Sequence, residues 1–228
     1  MRYKVFTLSI LFVAGAGIAR AQIQYIPASI HRLSVTLGGG VTNLYGDLKT
    51  KVFKPAARGN FDYNFTPFIS AGVEGQYGMF AGGDLSLSGK DGGLYSESNF
   101  WAVSANVRAG LGQLLPTPES KFSELIGGIY LGTGVGYVKS DVRSIKNNSF
   151  VINNGSLRYD AGEVIIPVNL GINADLPVYR LGINLNFQYN IGTSDALDGY
   201  DFHVNTNTDN DAYSFVSLAL RYYFGGTH

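Results

Sequence analysis

Few residues of this 228-residue chain have the types and spacing that catalysis or metal binding requires. The chain has no cysteine and three histidines, of which His31 and His228 lie at segment ends without a partner pattern. His203 shares its segment with five aspartates, a set that could hold a divalent cation or act with a serine on lipid. The aspartates are Asp195, Asp198, Asp201, Asp209 and Asp211. Their spacing matches no calcium-loop signature, and acidic, Asn-rich loops are usually only solvated, so we predict no catalytic residue, no metal and no cofactor.

A second set of charged residues lies within segments that otherwise alternate between apolar and polar residues. Each member falls on the polar side of its segment, the side that also carries Gln76, Asn106 and Ser217. The set is Arg58, Asp62, Glu74, Arg108 and Arg221. An isolated charge away from water is costly, so we expect these side chains to pair with one another. Whether they brace the protein or filter a solute depends on the elements that position them.

Those elements are predicted to be strands, because the alternation has a period of two. In Leu181–Gly192 every second residue is apolar and every intervening one is asparagine, glutamine or glycine. The eight predicted strands are Leu33–Val41, Ala57–Phe65, Ile69–Met79, Trp101–Leu111, Ile129–Tyr137, Val164–Ala174, Leu181–Gly192 and Val216–Phe224. Pro167 lies inside one of them and cannot donate a ladder hydrogen bond, so we expect a bulge or kink there.

Strand length and polar-face composition indicate which face is wet. Soluble strands average about five to six residues, whereas transmembrane strands need about nine to eleven. The polar faces here carry mainly Gly, Asn, Ser and Gln, and only 15% of the chain is charged, which suits a narrow lumen better than a solvated surface. We therefore predict an all-β protein, an eight-stranded antiparallel transmembrane β-barrel. The alternative is a soluble β-sandwich with an aromatic core.

The connections between the strands alternate in length, as in outer-membrane barrels with short periplasmic turns and long extracellular loops. Residues 80–98, 139–162 and 193–211 are long and are assigned outside, whereas 64–67 and 175–180 are short. The exception is 112–125, a longer periplasmic connection that could hold a short helix. Aromatic residues lie near both predicted membrane interfaces. On the outer side they are Tyr45, Tyr77, Phe80, Tyr95, Trp101, Tyr137 and Tyr189, and on the inner side Phe65, Phe68, Tyr179, Tyr222 and Phe224.

The N-terminus has the pattern of a secretory signal peptide. A short positive region precedes an uncharged apolar stretch, and Ala19-Arg20-Ala21 matches a signal-peptidase site. We predict that residues 1–21 are removed and that residues 22–228 form the barrel. The mature chain would carry 14 basic and 17 acidic residues, a balance that gives no reason to expect nucleic acid as a partner.

In its strand pattern, loop lengths and N-terminal signal, the chain resembles the small eight-stranded outer-membrane barrels of the OmpA/OmpX type. The segment Gly38–Leu48 is similar to the first strand and loop of Bacteroidota outer-membrane barrel proteins, and Leu218–Phe224 is similar to the aromatic last strand read by the barrel assembly machinery. Gly225–His228 beyond the phenylalanine departs from that pattern. The resemblance implies a location in a Gram-negative cell outer membrane, with lipid, lipopolysaccharide and the assembly machinery as partners.

An eight-stranded barrel has an interior about wide enough for side chains to fill it. The five lumen charges are therefore predicted to be structural struts and not a channel filter. We expect a non-enzymatic barrel that acts in envelope integrity or in surface interaction, with a possible protein partner on its extracellular loops. One alternative is an accessory barrel of a secretion or surface-assembly machine, whose partner would dock on the loops or on 112–125. Another is a lipid-modifying outer-membrane enzyme.

Overall fold

The computed structural model describes residues 31–45, 50–83, 94–114, 126–147, 159–177, 180–193 and 211–224. Eight long strands make up nearly all of this part of the chain. They are β1 (Leu33–Tyr45), β2 (Lys54–Asn64), β3 (Ile69–Gly83), β4 (Leu94–Gly110), β5 (Ile129–Asn147), β6 (Tyr159–Asp175), β7 (Leu181–Gly192) and β8 (Ala212–Phe224). A two-residue strand, Lys51–Val52, pairs with the end of β3, and Leu111–Leu114 form a 3-10 turn. None of the helical segments in the described residues has the length and apolar character needed to span a bilayer.

The strands close into one antiparallel barrel, as predicted. Each strand pairs with its neighbours in sequence, and β1 pairs with β8 from Leu33↔Phe224 to Tyr45↔Ala212. The eight long strands therefore form a ring without a free edge, in which the backbone groups of each strand bond to those of the next. The eight-stranded all-β prediction is confirmed.

The apolar side chains of the barrel point outward and the polar ones inward. Leu37, Val107 and Val135 are 65%, 55% and 58% exposed, whereas the inward Asn169 and Gln188 are completely buried. On β4 the outward apolar and small positions run from Trp101 to Ala109, which gives a height of about 20 Å for strands tilted by about 40°. This is close to the apolar band of about 25 Å of outer-membrane barrels, so we call these outward residues the apolar belt.

The two ends of the barrel differ. At one end, the turn end, β2–β3 and β6–β7 are joined by short connections, residues 65–68 and 176–180. At the other, the loop end, β3 to β6 continue well beyond the apolar belt, and the β4–β5 pairing reaches Leu94↔Asn147. The ends of two segments predicted as loops, 80–98 and 139–162, are therefore strands. Their polar residues lack the alternation used to identify strands, and pairing with the neighbouring strand keeps them extended.

The bulge predicted at Pro167 is wrong. The β5–β6 register is the same on both sides of this residue, with Thr133↔Val168 on one side and Gly136↔Ile165 on the other. The pairing is interrupted for two residues only, Ile166 and Pro167, and proline lacks the N–H group that the ladder would use. A register shift occurs instead in the β4–β5 pairing above the apolar belt, where Glu97 pairs with Ser144 but Ser98 pairs with Val142, so that β5 has one extra residue.

Close approach of two strands requires a glycine at position 40 of β1. A Cβ atom at Gly40 would overlap the Val216 carbonyl oxygen and lie 2.6 Å from the Ser217 Cα, both of them backbone atoms of β8. We expect Gly40→Ala to destabilise the barrel by about 1–3 kcal/mol, because two paired strands would have to separate. The measurement is the temperature at which the folded band disappears on an SDS gel.

The matched control for this variant is Gly75→Ala on β3. A Cβ atom at Gly75 meets nothing within 4 Å, so the added methyl group should leave the transition unchanged or raise it. Equal losses from Gly40→Ala and Gly75→Ala would contradict the close approach of β1 and β8.

Candidate functional site: the barrel lumen

The five charged residues predicted to face the lumen all lie inside the barrel and are nearly inaccessible to solvent. Arg58 and Asp62 come from β2, Glu74 from β3, Arg108 from β4 and Arg221 from β8. The strand period of two places each of them inward, and closure of the barrel brings them together. We call these five residues and the amide side chains bonded to them the lumen network.

Glu74 is the centre of the lumen network. Its side chain is completely buried, and one carboxylate oxygen, Oε2, lies 3.3 Å from both Arg58 Nη1 and Arg108 Nη2. Asn60 donates to the same oxygen at 2.6 Å, and Gln76 donates to Oε1 at 2.6 Å. One buried carboxylate thus holds side chains of β2, β3 and β4 together.

Asp62 pairs with an arginine two strands away. Arg108 Nη1 donates to both carboxylate oxygens of Asp62, at 2.8 and 2.9 Å. The intervening strand β3 carries Gly72 at this level, opposite Asp62 on one side and Asn106 on the other. Since glycine has no side chain, it leaves the space through which Asp62 and Arg108 meet.

Arg221 is held mainly by neutral acceptors. Its Nε and Nη2 donate to Ser34 Oγ at 3.1 and 2.8 Å, and Nη2 also donates to Asn64 Oδ1 at 3.1 Å. The nearest carboxylate oxygen is Asp62 Oδ2, at 3.9 Å from Nη2. This arginine joins β8 to β1 and β2 across the closure of the barrel.

Amide side chains continue the lumen network to the opposite wall. Arg58 Nη2 donates to Asn184 Oδ1 on β7, and Asn184 donates to Tyr130 Oη at 3.0 Å. Tyr130 in turn donates to Asn186 Oδ1 at 2.8 Å, and Gln76 donates to Gln188 Oε1 at 2.8 Å. The sequence patterns placed these amides on the polar face, but only the closed barrel shows that they join β2 and β3 to β7 across the lumen.

An aromatic cluster fills the lumen above the lumen network, toward the loop end. Phe80 and Phe100 are stacked with ring centroids 3.9 Å apart, and Tyr213 packs against both at 4.9 and 5.6 Å. Tyr213 Oη also donates to Gln76 Oε1 at 3.1 Å, which joins the cluster to the lumen network. We call Phe80, Phe100 and Tyr213 the aromatic plug. The prediction that Phe80 belongs to an interfacial aromatic girdle is wrong, since its side chain is only 1% exposed and lies inside the barrel.

Below the lumen network the barrel contains a cavity of about 950 Å³ that reaches the turn end. Its walls include Arg58, Arg108 and Arg221 of the lumen network and, at the mouth, the turn residues Phe68 and Pro177. Neither Glu74 nor any residue of the aromatic plug lines it. We call this cavity the vestibule. Among the described residues, the lumen network and the aromatic plug lie between the vestibule and the loop end.

The candidate metal or catalytic set in the last loop cannot be assembled from the described residues. His203, Asp195, Asp198, Asp201 and Asp209 lie outside them, as does His228. Asp211 is described and is buried at the start of β8, and His31 contacts the Tyr223 ring at the turn end with centroids 5.8 Å apart. Among the described residues no group of three or more His, Cys, Asp or Glu side chains is placed to hold a metal ion.

Comparison with known proteins identifies similar solved structures. No family model matches the chain. No curated protein matches it either. The crystal structure of Neisserial surface protein A superimposes with a TM-score of 0.52 at 12% identity, covering 87% of this chain and all of that one. Ail, the attachment invasion locus protein of Yersinia pestis, gives 0.45 at 12% identity over 87% of this chain and all of that one. The N-terminal β-barrel domain of Pseudomonas aeruginosa OprF gives 0.36 at 9% identity over 84% of this chain and 97% of that one.

The similarity to Neisserial surface protein A extends over the whole of that barrel, although few residues are identical. It agrees with the closed ring of eight antiparallel strands, the outward apolar belt and the inward polar face found here. The chain has the fold of the small eight-stranded outer-membrane β-barrels.

Proposed function

We propose that this protein is an integral outer-membrane barrel that works without catalysis, through envelope integrity or through contacts made at the cell surface by its loop end. The observation that carries the proposal is the extension of β3 to β6 beyond the apolar belt at the loop end only. A closed barrel with an apolar outer face is one of the two structures that satisfy backbone hydrogen bonds in a bilayer. Outer-membrane lipid and lipopolysaccharide would then surround the belt.

The extended strands form a sheet that would stand above the membrane. From Trp101 at the edge of the belt, β4 continues to Leu94, a rise of about 15–20 Å for a tilted strand. Lys54 and Glu97 form an ion pair of 3.2 Å within it, Lys139 lies on β5 opposite Trp101 at the edge of the belt, and Asp141 lies opposite Asn99 above the belt. A rigid sheet with mixed charges offers a surface for contacts with other molecules without a change in the barrel.

The filled lumen supports a structural role for the interior and argues against a conduit. An eight-stranded barrel has room for little more than its own side chains. Here two layers separate the vestibule from the loop end, the lumen network centred on Glu74 and the aromatic plug containing Phe80 and Phe100. We therefore propose that the lumen charges act as struts.

The orientation can be tested with single cysteines, because the chain has none of its own. Lys51 lies at the loop end and Pro177 at the turn end, and both side chains are exposed. Lys51→Cys should react with a membrane-impermeant maleimide on intact cells, whereas Pro177→Cys should react only after the outer membrane is permeabilised. Labelling of Pro177→Cys alone on intact cells would invert the proposed orientation.

The function itself can be tested in a strain that lacks the protein. If the barrel supports envelope integrity, deletion should increase entry of a large antibiotic that the outer membrane normally excludes, and the wild-type gene should restore exclusion.

If the sheet makes surface contacts, a photo-crosslinking residue at Asn99, above the belt on β4, should capture a partner on intact cells, while one at Val107, within the belt, should not. Lipid mass spectra that change on deletion, with no effect on exclusion or crosslinking, would favour the lipid-modifying alternative.

A further inference from the structure

The side chains that line the vestibule carry more positive than negative charge. Among the described residues, four arginines and two aspartates line it, which gives these residues a formal net charge of +2 with His31 neutral. These residues are Arg58, Arg108, Arg180, Arg221, Asp62 and Asp175. Glu74, behind Arg58 and Arg108, reduces the excess to +1. A cavity enclosed by a barrel screens charge less well than open water, so this excess favours a counter-ion.

Among the three arginines of the lumen network, Arg221 lies furthest from a carboxylate oxygen. Its hydrogen bonds go to the neutral oxygens of Ser34 and Asn64, and the carboxylate of Asp62 stands 3.9 Å away. Both oxygens of that carboxylate already accept from Arg108. The side chain of Arg221 is nevertheless only 10% exposed.

Two other arginines of the vestibule each have a hydrogen-bond donor without an acceptor. The Nε–H groups of Arg58 and Arg108 are buried, and neither has an acceptor among the described residues. Buried polar groups nearly always have a partner, so the described side chains satisfy the guanidinium groups of Arg58 and Arg108 only in part. Other atoms of both arginines line the vestibule, so their charges act on it although these two Nε atoms do not contact it.

We propose that the vestibule is a binding site for an oxyanion, a carboxylate or phosphate group that enters from the turn end. Guanidinium groups bind such oxygens with short, charge-assisted and often paired hydrogen bonds. The volume of about 950 Å³ lies within the range of cavities that hold small molecules, about 300–1,000 Å³. A cation would be repelled by the arginine excess, and a neutral ligand would leave Arg221 with only the Asp62 carboxylate that it shares with Arg108. In the proposed orientation the ligand comes from the periplasm, either as a free small anion or as the C-terminal carboxylate of a polypeptide.

The test is calorimetric titration of the barrel refolded in a non-ionic detergent, which does not depend on the proposed cellular function. One probe is inorganic phosphate, and the other is an acetylated tripeptide with a free C-terminal carboxylate, compared with its amide. Saturable binding of phosphate would identify a free anion as ligand, and binding of the free but not the amidated tripeptide would identify a polypeptide terminus. The absence of saturable binding by either probe would overturn the proposal.

Two variants locate the site. Arg221→Gln removes the charge and should weaken binding about ten-fold or more, and Arg180→Gln at the vestibule mouth should weaken it less. The matched control is Lys54→Gln, which removes a positive charge at the loop end, outside the vestibule, and should bind like the wild type. Each variant is first checked for folding by its shift on an SDS gel, and Arg180→Gln gives the answer if Arg221→Gln does not fold. Unchanged affinity in the folded vestibule variants would overturn the assignment of the site.

Discussion

Glu74→Ala should lower the stability of the barrel by several kcal/mol. Arg58 would keep only the amide oxygens of Asn60 and Asn184 as acceptors, and its side chain is 1% exposed, so its charge would be buried without a counter-ion. Removal of one partner from a buried ion pair costs about 3–5 kcal/mol. We expect the lower part of this range, because Arg108 keeps Asp62 and borders the vestibule, where water can solvate it.

The measurement is the temperature of the SDS gel-shift transition, together with the urea midpoint of unfolding in detergent. Glu74→Gln keeps the shape and part of the hydrogen bonding of Glu74 but not its charge, so its stability should lie between those of the wild type and Glu74→Ala. The matched control is Glu97→Ala, which breaks the ion pair with Lys54 at the loop end. Those side chains are 28% and 21% exposed, and such pairs contribute about 1 kcal/mol or less. Similar losses for Glu74→Ala and Glu97→Ala would show that the lumen network does not act as a strut.

Phe100→Ala should also lower the stability of the barrel by several kcal/mol. The Phe100 ring is 1% exposed, stacks on Phe80 with an interplanar angle of 4° and contacts Tyr213, so its truncation leaves a cavity between three strands. Phe→Ala changes in packed interiors cost about 3–5 kcal/mol. Val103→Ala on the lipid-facing side of the same strand is the control, and its loss should be much smaller because it creates no interior cavity.

Neither Glu74→Ala nor Phe100→Ala should open a pore through the barrel. Phe100→Ala leaves the lumen network across the barrel, and Glu74→Ala leaves the aromatic plug in place, so ion conductance in planar bilayers should stay at the level of the wild type. If Glu74→Ala keeps the thermal transition of the wild type and yet conducts ions, the lumen charges form a gate and the strut proposal is wrong.

The sequence alone determines the inward or outward direction of most barrel side chains. Strand periodicity is a local property, so Leu181–Gly192 already separates a lipid-facing apolar side from an amide-rich lumen side. The same parity places Arg58, Glu74 and Arg108 inside without knowledge of their partners. The count of alternating segments then predicts eight strands, and the short connections predict that strands adjacent in sequence pair with each other.

The tertiary structure decides which inward side chains meet. Arg108 reaches Asp62 over the bare backbone at Gly72, and Arg58 reaches Asn184 across the lumen, contacts that depend on barrel diameter and strand stagger. The vestibule likewise forms only when the barrel closes, because residues of all eight strands line it.

The aromatic plug shows most clearly where local patterns fail. Phe80 and Phe100 occupy positions of β3 and β4 whose side chains point inward. Because an apolar residue at an inward position interrupts the alternation, the sequence predicts strands that end at Met79 and begin at Trp101. Extending the parity of Glu74 and Gln76 by two more steps would have placed Phe80 inside. What no local pattern contains is the approach of Tyr213 from β8, because a ring of strands brings it against β3 and β4 only when the barrel is closed. Local periodicity therefore determines the facing of each strand, whereas closure determines how the lumen is filled.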